Sequence, residues 1–583
     1  MAKSKMGRTV AIGIQNFEEM ITEARFYVDK TDFIRQWWES GDKVTLIARP
    51  RRFGKTLNIS MLEAFFSNRY EKRSDLFEGL KIWQEKEYRD LQGSYPVISL
   101  SFADVKEVTC VETIASICDI LKEQYQRHSE LLDSEKLLAE EKEYIKRMMS
   151  GVSVEDAKRA IYYLASYLYK HYGKKAIILL DEYDTPMQEA YVHGYWNEFT
   201  AFIRSLFNST FKTNPHYERA VMTGITRVSK ESIFSDLNNL AVVTTTSSRY
   251  ATAFGFTEKE VFAAMDEMGL TDKDGVKYWY DGFVFGEEKD IYNPWSIINY
   301  LKEGKLSTYW ANTSSNSLVG KLIREGDVDC KKTFEKLLHG EIIEVPVDEQ
   351  IVYNNLDTNE SAIWSLLLAT GYLKVLSYQA EEESAGSGYA LYQLALTNEE
   401  VRKMFFRMVS DWFGSVRSSY NDFIKALLLG DVDMMNEYME RISLQVFSSF
   451  DTGGTGEKAF RKSEPERFYH GFVLGLMVDM SDRYEVKSNR ESGFGRYDIM
   501  IYPKDRSSAQ GSQDAIIIEF KVRREKREAN LAATVQAALK QIEDKNYGAE
   551  LISLGFTEAH IRKYGFAFEG KKVLIGDGTE GDA

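Results

Sequence analysis

Residues 44–56 read Val44-Thr45-Leu46-Ile47-Ala48-Arg49-Pro50-Arg51-Arg52-Phe53-Gly54-Lys55-Thr56. An apolar run, a short basic loop and a Gly-Lys-Thr that opens a helical pattern are typical of a strand, a phosphate-binding loop and a helix. Gly54 lets the backbone approach a phosphate, Lys55 can reach the β- and γ-phosphates, and the Thr56 hydroxyl can ligate Mg²⁺. The stretch therefore predicts a nucleotide-binding P-loop.

One position departs from the usual P-loop pattern. That pattern is G-x-x-x-x-G-K-[ST], and Arg49 stands where its first glycine belongs. Arg51 and Arg52 add positive charge, and either they contact phosphate or the loop is a solvated basic surface. Because Gly-Lys-Thr occurs often by chance, the loop needs a second feature in its support.

A second stretch, Ala176-Ile177-Ile178-Leu179-Leu180-Asp181-Glu182, lies about 125 residues beyond the P-loop. A fully apolar run that ends in acids is typical of a buried parallel strand. In P-loop NTPases such a strand carries the acid that holds Mg²⁺, here Asp181, and the following Glu182 can polarise the attacking water. The alternative is an ordinary strand that runs into a solvated acidic turn. We expect this strand beside the P-loop.

Length and composition bound the class of protein. With 583 residues, 44% of them hydrophobic and 28% charged, the chain has the composition of an ordinary soluble protein of roughly three or four domains. Its three cysteines are too few for a disulfide framework or a thiolate zinc site. No apolar stretch follows the basic start, and none approaches the roughly 18 residues of a membrane span. We therefore expect a cytoplasmic protein without a membrane partner.

Charge is spread unevenly along the chain. The net charge is −15, which argues against a general nucleic-acid binder. Residues 456–572, however, hold 21 Lys/Arg and 18 Asp/Glu, a net of +3, so the remainder carries −18. A slightly basic carboxyl-terminal region is compatible with local, weak phosphate binding there.

Apolar runs alternate with helical patterns after the P-loop. The runs cover Pro96–Phe102, Lys175–Asp181 and Arg219–Ile225. Strands separated by helices predict an α/β fold in which a parallel sheet has helices on both faces. From about residue 315 the pattern is mostly that of amphipathic helices, and Asp451–Gly456 is the clearest linker.

A second group of acids lies behind that linker. Arg496–Tyr502 alternates like a strand, and Ala515–Val522 is typical of the returning strand of a hairpin. Glu519 and Lys521 are two residues apart and share a face, and a hairpin would bring Asp498 close to them. Two carboxylates beside a lysine suit a hard cation such as Mg²⁺ or Mn²⁺. The alternative is a surface hairpin with a cross-strand ion pair.

These residues resemble the core of the PD-(D/E)XK nuclease superfamily, in its RecB-like branch. The matching motif is Asp498…Glu519-x-Lys521. Glu466 is similar to the acid of the family's first helix, which joins the metal site, and Gln541 is similar to the glutamine of the helix that follows the motif. The resemblance implies a carboxyl-terminal α/β domain like that of restriction endonucleases. It implies as metal ligands Glu466, Asp498 and Glu519, and as further catalytic residues Lys521 and Gln541.

The amino-terminal part is similar to a divergent AAA-ATPase-like family, members of which in bacteria carry such a nuclease domain behind it. The matching stretches are Tyr27–Thr31, Arg49–Thr56, Leu180–Asp184, Thr223–Lys230 and Tyr280–Phe283. Arg49 in place of glycine is usual in that family. The resemblance would make Thr223 a polar sensor near the γ-phosphate and Arg227 a charge sensor or an arginine finger. Loop hydrogen bonding and a surface charge are the alternatives for these two residues.

The sequence thus predicts two sites in separate domains. The candidate nucleotide-binding residues are Arg52, Phe53, Gly54, Lys55, Thr56, Asp181, Thr223 and Arg227, with Thr56 and Asp181 also at the Mg²⁺ and Glu182 catalytic. The expected domains are an AAA-ATPase-like P-loop domain (1–255), a lid or winged-helix-like region (256–330), a helical linker domain (331–450), a nuclease-like domain (456–576) and a disordered tail (577–583).

The leading functional prediction is a P-loop ATPase whose nucleotide state governs a metal-dependent nuclease that cleaves DNA or RNA. Its cofactors would be ATP and Mg²⁺, with Mn²⁺ as an alternative at the nuclease site, and its partner nucleic acid at the carboxyl-terminal domain. A second hypothesis is a STAND-like nucleotide-dependent switch whose last domain binds nucleic acid without cutting it. A third is a plain ATPase with a degenerate carboxyl-terminal scaffold. A homo-oligomeric assembly stays open.

Overall fold

The chain divides into two compact units, residues 1–404 and 405–583. The computed structural model describes residues 8–227, 234, 237–310, 319, 322–323, 328–338, 340–347, 360–379, 390–412, 420–440, 484–488, 491–492, 495–496, 498–504, 514–524, 527–569 and 572–578. The finer domain boundaries expected from the sequence stay a prediction.

The first unit is built on a parallel sheet of five strands. Their bounds are β1 Val44–Ala48, β2 Val97–Ser101, β3 Ala176–Asp181, β4 Tyr217–Gly224 and β5 Leu240–Val243. The spatial order is β2-β3-β4-β1-β5, and every neighbouring pair is parallel. Every residue of β1 and β3 is buried, which explains why their sequences, apart from Thr45 and the terminal Asp181, are apolar instead of alternating.

Helices surround this sheet. The helices that begin in the first unit are α1 Phe17–Thr22, α2 Asp32–Ser40, α3 Lys55–Phe66, α4 Lys86–Leu91, α5 Cys110–Arg127, α6 Ala139–Ser150, α7 Val154–Ala157, α8 Ala160–Tyr172, α9 Thr185–Val192, α10 Trp196–Phe207, α11 Glu258–Met268, α12 Lys273–Tyr280, α13 Pro294–Glu303, α14 Val328–Leu338, α15 Glu360–Ala369 and α16 Glu399–Trp412. The fold class predicted from the sequence is confirmed. No helix in the described part of the chain is both long enough and apolar enough to cross a membrane.

Two small antiparallel sheets also belong to the first unit. One has the order β6-β8-β7, and its strands are β6 Phe256–Thr257, β7 Phe283–Phe285 and β8 Glu288–Tyr292. The other has the order β10-β11-β9, and its strands are β9 Ile343–Pro346, β10 Leu373–Gln379 and β11 Leu391–Leu396. The sequence predicts helices around β9–β11 and misses this sheet. Its strands have only 4, 7 and 6 residues, too few for a period of two to stand out among helices.

The second unit contains a mixed sheet of five strands. They are, in spatial order, β12 Tyr484–Ser488, β15 Ile499–Pro503, β16 Ala515–Val522, β17 Ile561–Glu569 and β18 Lys572–Gly576. Only β16 and β17 run parallel among these described strands. Between β12 and β15 a short hairpin pairs β13 Glu491–Ser492 with β14 Gly495–Arg496. Helices of this unit include α17 Tyr420–Leu429, α18 Leu531–Asp544 and α19 Ala549–Ser553.

The two faces of β16 pack against different parts of the second unit. Ile516, Ile518 and Phe520 belong to a core shared with α17. Ile517, on the opposite face, belongs to a core shared with Ile542 of α18. Because side chains alternate along a strand, every second residue after Ile517 lies on the same face and is directed towards α18. Those residues are Glu519 and Lys521, so the predicted sharing of one face holds.

The acid-bearing strand lies beside the P-loop as predicted, since the Thr56 hydroxyl donates to Asp181, but it does so without pairing with the P-loop strand. The acid-bearing strand β3 does not pair with the P-loop strand β1, because β4 lies between them. The carboxyl ends of all three parallel strands nevertheless meet at one edge of the sheet, so Asp181 at the end of β3 still reaches the P-loop helix. The strand that separates them contributes Thr223 to the same edge.

Candidate functional sites

The first candidate site is the loop of residues 49–54, which joins β1 to α3. Two of its residues have a left-handed backbone, Arg52 with a φ of 66° and Gly54 with a φ of 80°. Glycine adopts this conformation freely, whereas for arginine it costs on the order of 1–3 kcal/mol. Gly54 is also the N-cap of α3. The first N–H groups of that helix have no carbonyl partner within it, which is the arrangement that favours a bound anion.

Lys55 is folded back onto its own loop. Its Nζ donates hydrogen bonds to the carbonyl oxygens of Arg49 and Pro50, both at 3.0 Å, and the residue is 4% exposed. Burial lowers the pKa of its ammonium group, while the nearby acids Glu182 and Asp181 raise it. The charge therefore sits inside the loop, held by two neutral acceptors that a phosphate could replace.

Three side chains from different elements meet at the carboxyl edge of the sheet. The Thr56 hydroxyl of α3 donates to Oδ2 of Asp181 at 2.6 Å. The Thr223 hydroxyl at the end of β4 donates to Oδ1 of the same carboxylate. Burial raises the pKa of Asp181, and these two hydrogen bonds counteract that rise. The structure thus brings together three of the residues predicted to bind the nucleotide and its metal.

Glu182 follows Asp181 in an unusual backbone conformation. Its φ of 51° is left-handed, and its N–H donates to the Thr223 hydroxyl at 3.4 Å. Its Oε2 accepts a hydrogen bond of 3.1 Å from the Thr185 hydroxyl. A strained residue at such a position is typical of functional sites. Asp184 plays a different part, since its buried carboxylate accepts the N–H groups that follow β4 and thereby fixes that turn.

Arg49 occupies the position of the missing glycine with a fully buried side chain. Its guanidinium donates to the carbonyl oxygens of Ala48 and Arg249, both at 3.1 Å, and to that of Thr244. Its central carbon lies 4.5 Å from the centre of the Phe285 ring. Burial lowers the pKa of this guanidinium to about 9. The arginine therefore connects the loop to the segment after β5 and to β7.

The remaining predicted nucleotide-binding residues lie around this loop. Phe53 is buried, and its ring packs against the rings of Phe283 and Phe285. Arg52 is exposed and stacks 4.4 Å from the centre of the Trp295 ring. Arg227, after β4, lines a small cavity at the ends of β1, β4 and β5. Among the described residues, none of these three side chains forms a hydrogen bond or an ion pair with Asp181.

The second candidate site lies where β15 and β16 pair. Ile499 is opposite Ile518 in this antiparallel pair, so Asp498 and Glu519 continue the register one residue further. Oδ2 of Asp498 accepts a hydrogen bond of 2.8 Å from the N–H of Phe520. Glu519 is 4% exposed. The predicted hairpin is confirmed, and it sets Asp498, which directly precedes β15, opposite Glu519 of β16.

Gln541 of α18 links the side chains of this second site. Its Oε1 accepts a hydrogen bond of 2.5 Å from Nζ of Lys521, and its Nε2 donates to Oε1 of Glu519. The same Nε2 lies 3.1 Å from the hydroxyl of Tyr547. Burial raises the pKa of Tyr547, and the carboxylates of Glu519 and Asp498 raise it further. Four of the five residues predicted for this site therefore share one neighbourhood.

Comparison with known families covers both candidate sites. Residues 11–234 match a family described as predicted AAA-ATPase, and residues 464–578 match the PD-(D/E)XK nuclease superfamily. The chain joins an AAA-ATPase-like domain to a PD-(D/E)XK nuclease domain. The loop with Lys55 lies in the first domain, and the pair of Asp498 and Glu519 lies in the second.

Individual relatives add little about activity. A curated protein of Azotobacter chroococcum, described as an uncharacterized protein in the vnfD 5' region, is 27% identical over 321 residues, or 54% of this chain and 56% of that protein. The match thus spans little more than half of that relative. The solved structure of the Aeropyrum pernix ORC2 protein (ADPNP-ADP complexes) covers 69% of this chain and 96% of its own, at 8% identity and a TM-score of 0.24. A TM-score that low supports no conclusion.

The residues of the PD-(D/E)XK domain fit a hard divalent cation. The donors that the strands bring together, Asp498 and Glu519, are both carboxylates, which suit Mg²⁺ or Mn²⁺ better than softer metals. The near-complete burial of Glu519, directly after the apolar residues Ala515–Ile518 of β16, favours a cation as its counter-charge. The third predicted ligand, Glu466, lies outside the described residues.

Two features of the first unit escape sequence reasoning. One is the set of contacts made by Arg49, two of whose three acceptors lie about 200 residues away in sequence. The other is a group of three acids, Glu258, Asp281 and Asp290, whose oxygens lie within 4.8 Å of one another in the described part of the chain. Neither the contacts of Arg49 nor this group of acids follows a recognisable sequence spacing, because the residues that meet come from separate elements.

Proposed function

We propose that this chain is an ATP-binding P-loop ATPase coupled to a Mg²⁺- or Mn²⁺-dependent nuclease that cleaves the phosphodiester bonds of DNA or RNA. The observation that carries the proposal is the hydrogen-bonded group of Glu519, Lys521 and Gln541 beside Asp498. A surface ion pair would not need a buried carboxylate, a lysine and a bridging amide from three positions of the fold. For the ATP-binding part of the proposal, the supporting observation is the group of Thr56, Asp181 and Thr223 beside the P-loop.

In the first domain the residues act on the phosphates of ATP. Lys55 would leave the carbonyl oxygens of its loop for the β- and γ-phosphates, because a charged acceptor binds an ammonium more strongly than a neutral one. Thr56 and Asp181 would hold Mg²⁺, which supplies charge neutralisation at the phosphates. Thr223 keeps the Asp181 carboxylate oriented, and Glu182 would orient the attacking water. Arg227 would sense or stabilise charge on the γ-phosphate.

In the second domain the residues act on a phosphodiester. Asp498 and Glu519, with Glu466, would hold the divalent cation, which lowers the pKa of a bound water and neutralises the scissile phosphate. Lys521 lies on the Glu519 face and would position the attacking water or the phosphate. Gln541 would fix the positions of the Lys521 and Glu519 side chains, since it hydrogen-bonds to both.

The wider setting follows from the same proposal. We infer a cytoplasmic location and a nucleic-acid partner at the second domain, where residues 456–572 carry a net charge of +3 while the rest of the chain carries −18. Phosphate contacts from a weakly basic region should be sensitive to salt. Assembly into a homo-oligomer is compatible with this function and is an open part of the proposal.

The nuclease half is tested by incubating the purified chain with single- and double-stranded DNA and RNA, with Mg²⁺ or Mn²⁺, with and without ATP. Cleavage should require the metal and stop on addition of EDTA. Asp498→Asn should abolish cleavage because it removes a ligand charge while keeping the side-chain shape.

The matched control is Asp514→Asn. Asp514 directly precedes β16, at the end away from Glu519, where it pairs with His560 and with Arg562. This variant should cleave at the wild-type rate. Cleavage that survives Asp498→Asn in clean protein would remove the second site from the proposal.

A nucleotide-dependent switch that does not turn ATP over is the second candidate. It is favoured by the packing of the P-loop against residues 255–295: the Phe53 carbonyl accepts from the N–H of Gly255 at 3.3 Å, and the Arg51 carbonyl accepts from Nδ2 of Asn293 at 3.3 Å. A change in the loop would therefore reach that segment directly. Measuring ATP turnover separates the candidates: Glu182→Gln should bind ATP normally and hydrolyse it slowly in an ATPase, whereas a switch binds ATP without hydrolysing it in either form.

A further inference from the structure

The first residue of the P-loop does not need to be glycine in this fold. The φ angle of Arg49 is not among the left-handed values, which fall instead on Arg52 and Gly54. Its N–H donates to the carbonyl oxygen of Gly224 at 3.1 Å, which ties the start of the loop to the end of β4. The position is therefore open to a side chain, and the chain places there a long one with several hydrogen-bond donors.

The side chain of Arg49 is buried at a cost in free energy. It is 0% exposed, its three acceptors are all neutral main-chain carbonyls, and its Nε has no hydrogen-bond partner among the described residues. A buried charge without a counter-charge destabilises a fold, and an apolar side chain of similar volume is often more favourable. Stability alone therefore does not account for an arginine here.

Arg49 also contacts Lys55, the lysine of the P-loop. The Arg49 carbonyl is one of the two oxygens that accept hydrogen bonds from Nζ of Lys55. The guanidinium fixes that residue to the segment after β5, through Thr244 and Arg249. A shift of the loop at this position would consequently displace the acceptors that orient Lys55.

We propose that Arg49 is a positioning residue for the nucleotide, which fastens the start of the P-loop to the segment after β5 and so sets where Lys55 meets the phosphates. This inference rests on the proposed nucleotide-binding function of the loop. Its consequence runs against the sequence pattern, because Arg49→Gly restores the common P-loop motif and should nevertheless weaken binding. The side-chain donors replace the fixed loop shape that a glycine-rich turn supplies elsewhere.

The test uses the full chain and four variants: Arg49→Gly, Arg49→Met, Arg49→Lys and Arg219→Met. Affinity for MgATP is measured by isothermal titration calorimetry, and the melting temperature is recorded for each protein. Methionine fills the space of Arg49 without donors, and lysine keeps the charge with fewer donors. Arg219 is the matched control, because it donates to the carbonyl oxygens of Trp37 and Trp38 and stacks 4.4 Å from the centre of the Trp38 ring, near the amino end of β4.

We expect Arg49→Gly and Arg49→Met to bind MgATP about tenfold or more weakly, since hydrogen bonds from charged groups contribute at that level. Arg49→Met should keep a melting temperature close to that of the wild type. Arg49→Lys should fall between the wild type and Arg49→Met in affinity. Arg219→Met should bind MgATP like the wild type even if its melting temperature falls.

Several results would overturn the inference. Wild-type affinity in Arg49→Met or Arg49→Gly would show that the donors are dispensable, and an equal loss in Arg219→Met would reduce the effect to general stability. If Arg49→Gly fails to fold, the order of Arg49→Lys and Arg49→Met decides. A wild-type chain that binds neither ATP nor ADP would instead overturn the proposed function itself, and the inference with it.

Discussion

Lys55 is held by two carbonyl oxygens of its own loop, and a phosphate would offer it a stronger partner. Lys55→Ala should therefore weaken ATP binding by about 1.5–3 kcal/mol, the usual contribution of a hydrogen bond to a charged group, or roughly ten- to hundredfold. Calorimetry with MgATP measures this loss.

Lys43→Ala is the control for this substitution. Lys43 also donates to two carbonyl oxygens, those of Tyr217 and Glu218 at 2.7 Å each, but it directly precedes β1 at the amino edge of the sheet. It should leave the affinity unchanged. Equal affinity in Lys55→Ala and the wild type would remove Lys55 from the nucleotide site.

Asp281 should make the stability of the first unit depend on pH. Burial, and next the neighbouring Asp290, raise the pKa of its carboxyl from 3.8 to about 6, whereas Lys277 lowers it. Glu258 and Lys374 also face this carboxyl. A raised pKa means that the folded chain holds a proton that the unfolded chain has released, so stability increases as the pH falls from about 6 towards 3.8 and is lost as the pH rises through 6.

Melting temperatures at pH 7 and pH 5 test that dependence. The wild type should gain in melting temperature relative to Asp281→Asn on going to the lower pH, because the amide cannot titrate. Asp290→Asn should reduce the gain, since it removes the second cause of the raised pKa. Parallel pH profiles for the wild type and Asp281→Asn would contradict the assignment.

At the scale of elements, the carboxyl end of β4 is packed too closely for any side chain at Gly224. A Cβ there would lie 2.6 Å from Oδ1 of Asp184 and 2.6 Å from a ring carbon of Tyr183. Gly224→Ala should therefore destabilise the first unit by about 1–3 kcal/mol, the usual cost of overpacking. Thermal or chemical unfolding measures the change.

Gly151→Ala is the matched control for this element. A Cβ at Gly151 would have nothing within 4 Å, and its φ of 171° is extended backbone that any residue adopts. Its effect should stay within about 0.5 kcal/mol. If the two substitutions destabilise the chain equally, the close packing at the end of β4 is not the reason that position 224 requires glycine.

The elements that could be predicted are those whose signal lies within one segment. The apolar run of β1 leads into the basic P-loop, and that of β3 ends in two acids. Each short segment therefore predicts both a buried strand and a functional residue at its carboxyl end. The spacing of Glu519 and Lys521 likewise specifies one face. The position of β4 between β1 and β3, and the contacts of Arg49, depend on residues far apart in sequence. A single sequence contains no local trace of such pairings.

At the scale of the whole molecule, the two candidate sites lie in separate compact units. Substitutions in one should leave the binding constant of the other unchanged, because each site is built from residues of its own unit and independent sites usually behave additively. Asp498→Asn should thus bind MgATP like the wild type while cleaving nothing. Lys55→Ala should lose whatever effect ATP has on cleavage by the wild type.

Calorimetry and cleavage assays on the same preparations check this independence. Loss of ATP binding in Asp498→Asn, with the melting behaviour intact, would mean that the units are coupled at the level of binding. An ATP effect on cleavage that persists in Lys55→Ala would place the nucleotide that governs cleavage at another site.

The stacking of Arg52 on Trp295, 4.4 Å from the ring centre, has a practical consequence. Indole emission changes with the charge at its face and with its contact with water, so the arrival of a phosphate that draws Arg52 away should alter the fluorescence of that one ring. Subtracting the signal of Trp295→Phe would isolate it from the rest of the chain's nine tryptophans. The protein then carries its own optical probe, and stopped-flow mixing could time the loop's response without any label.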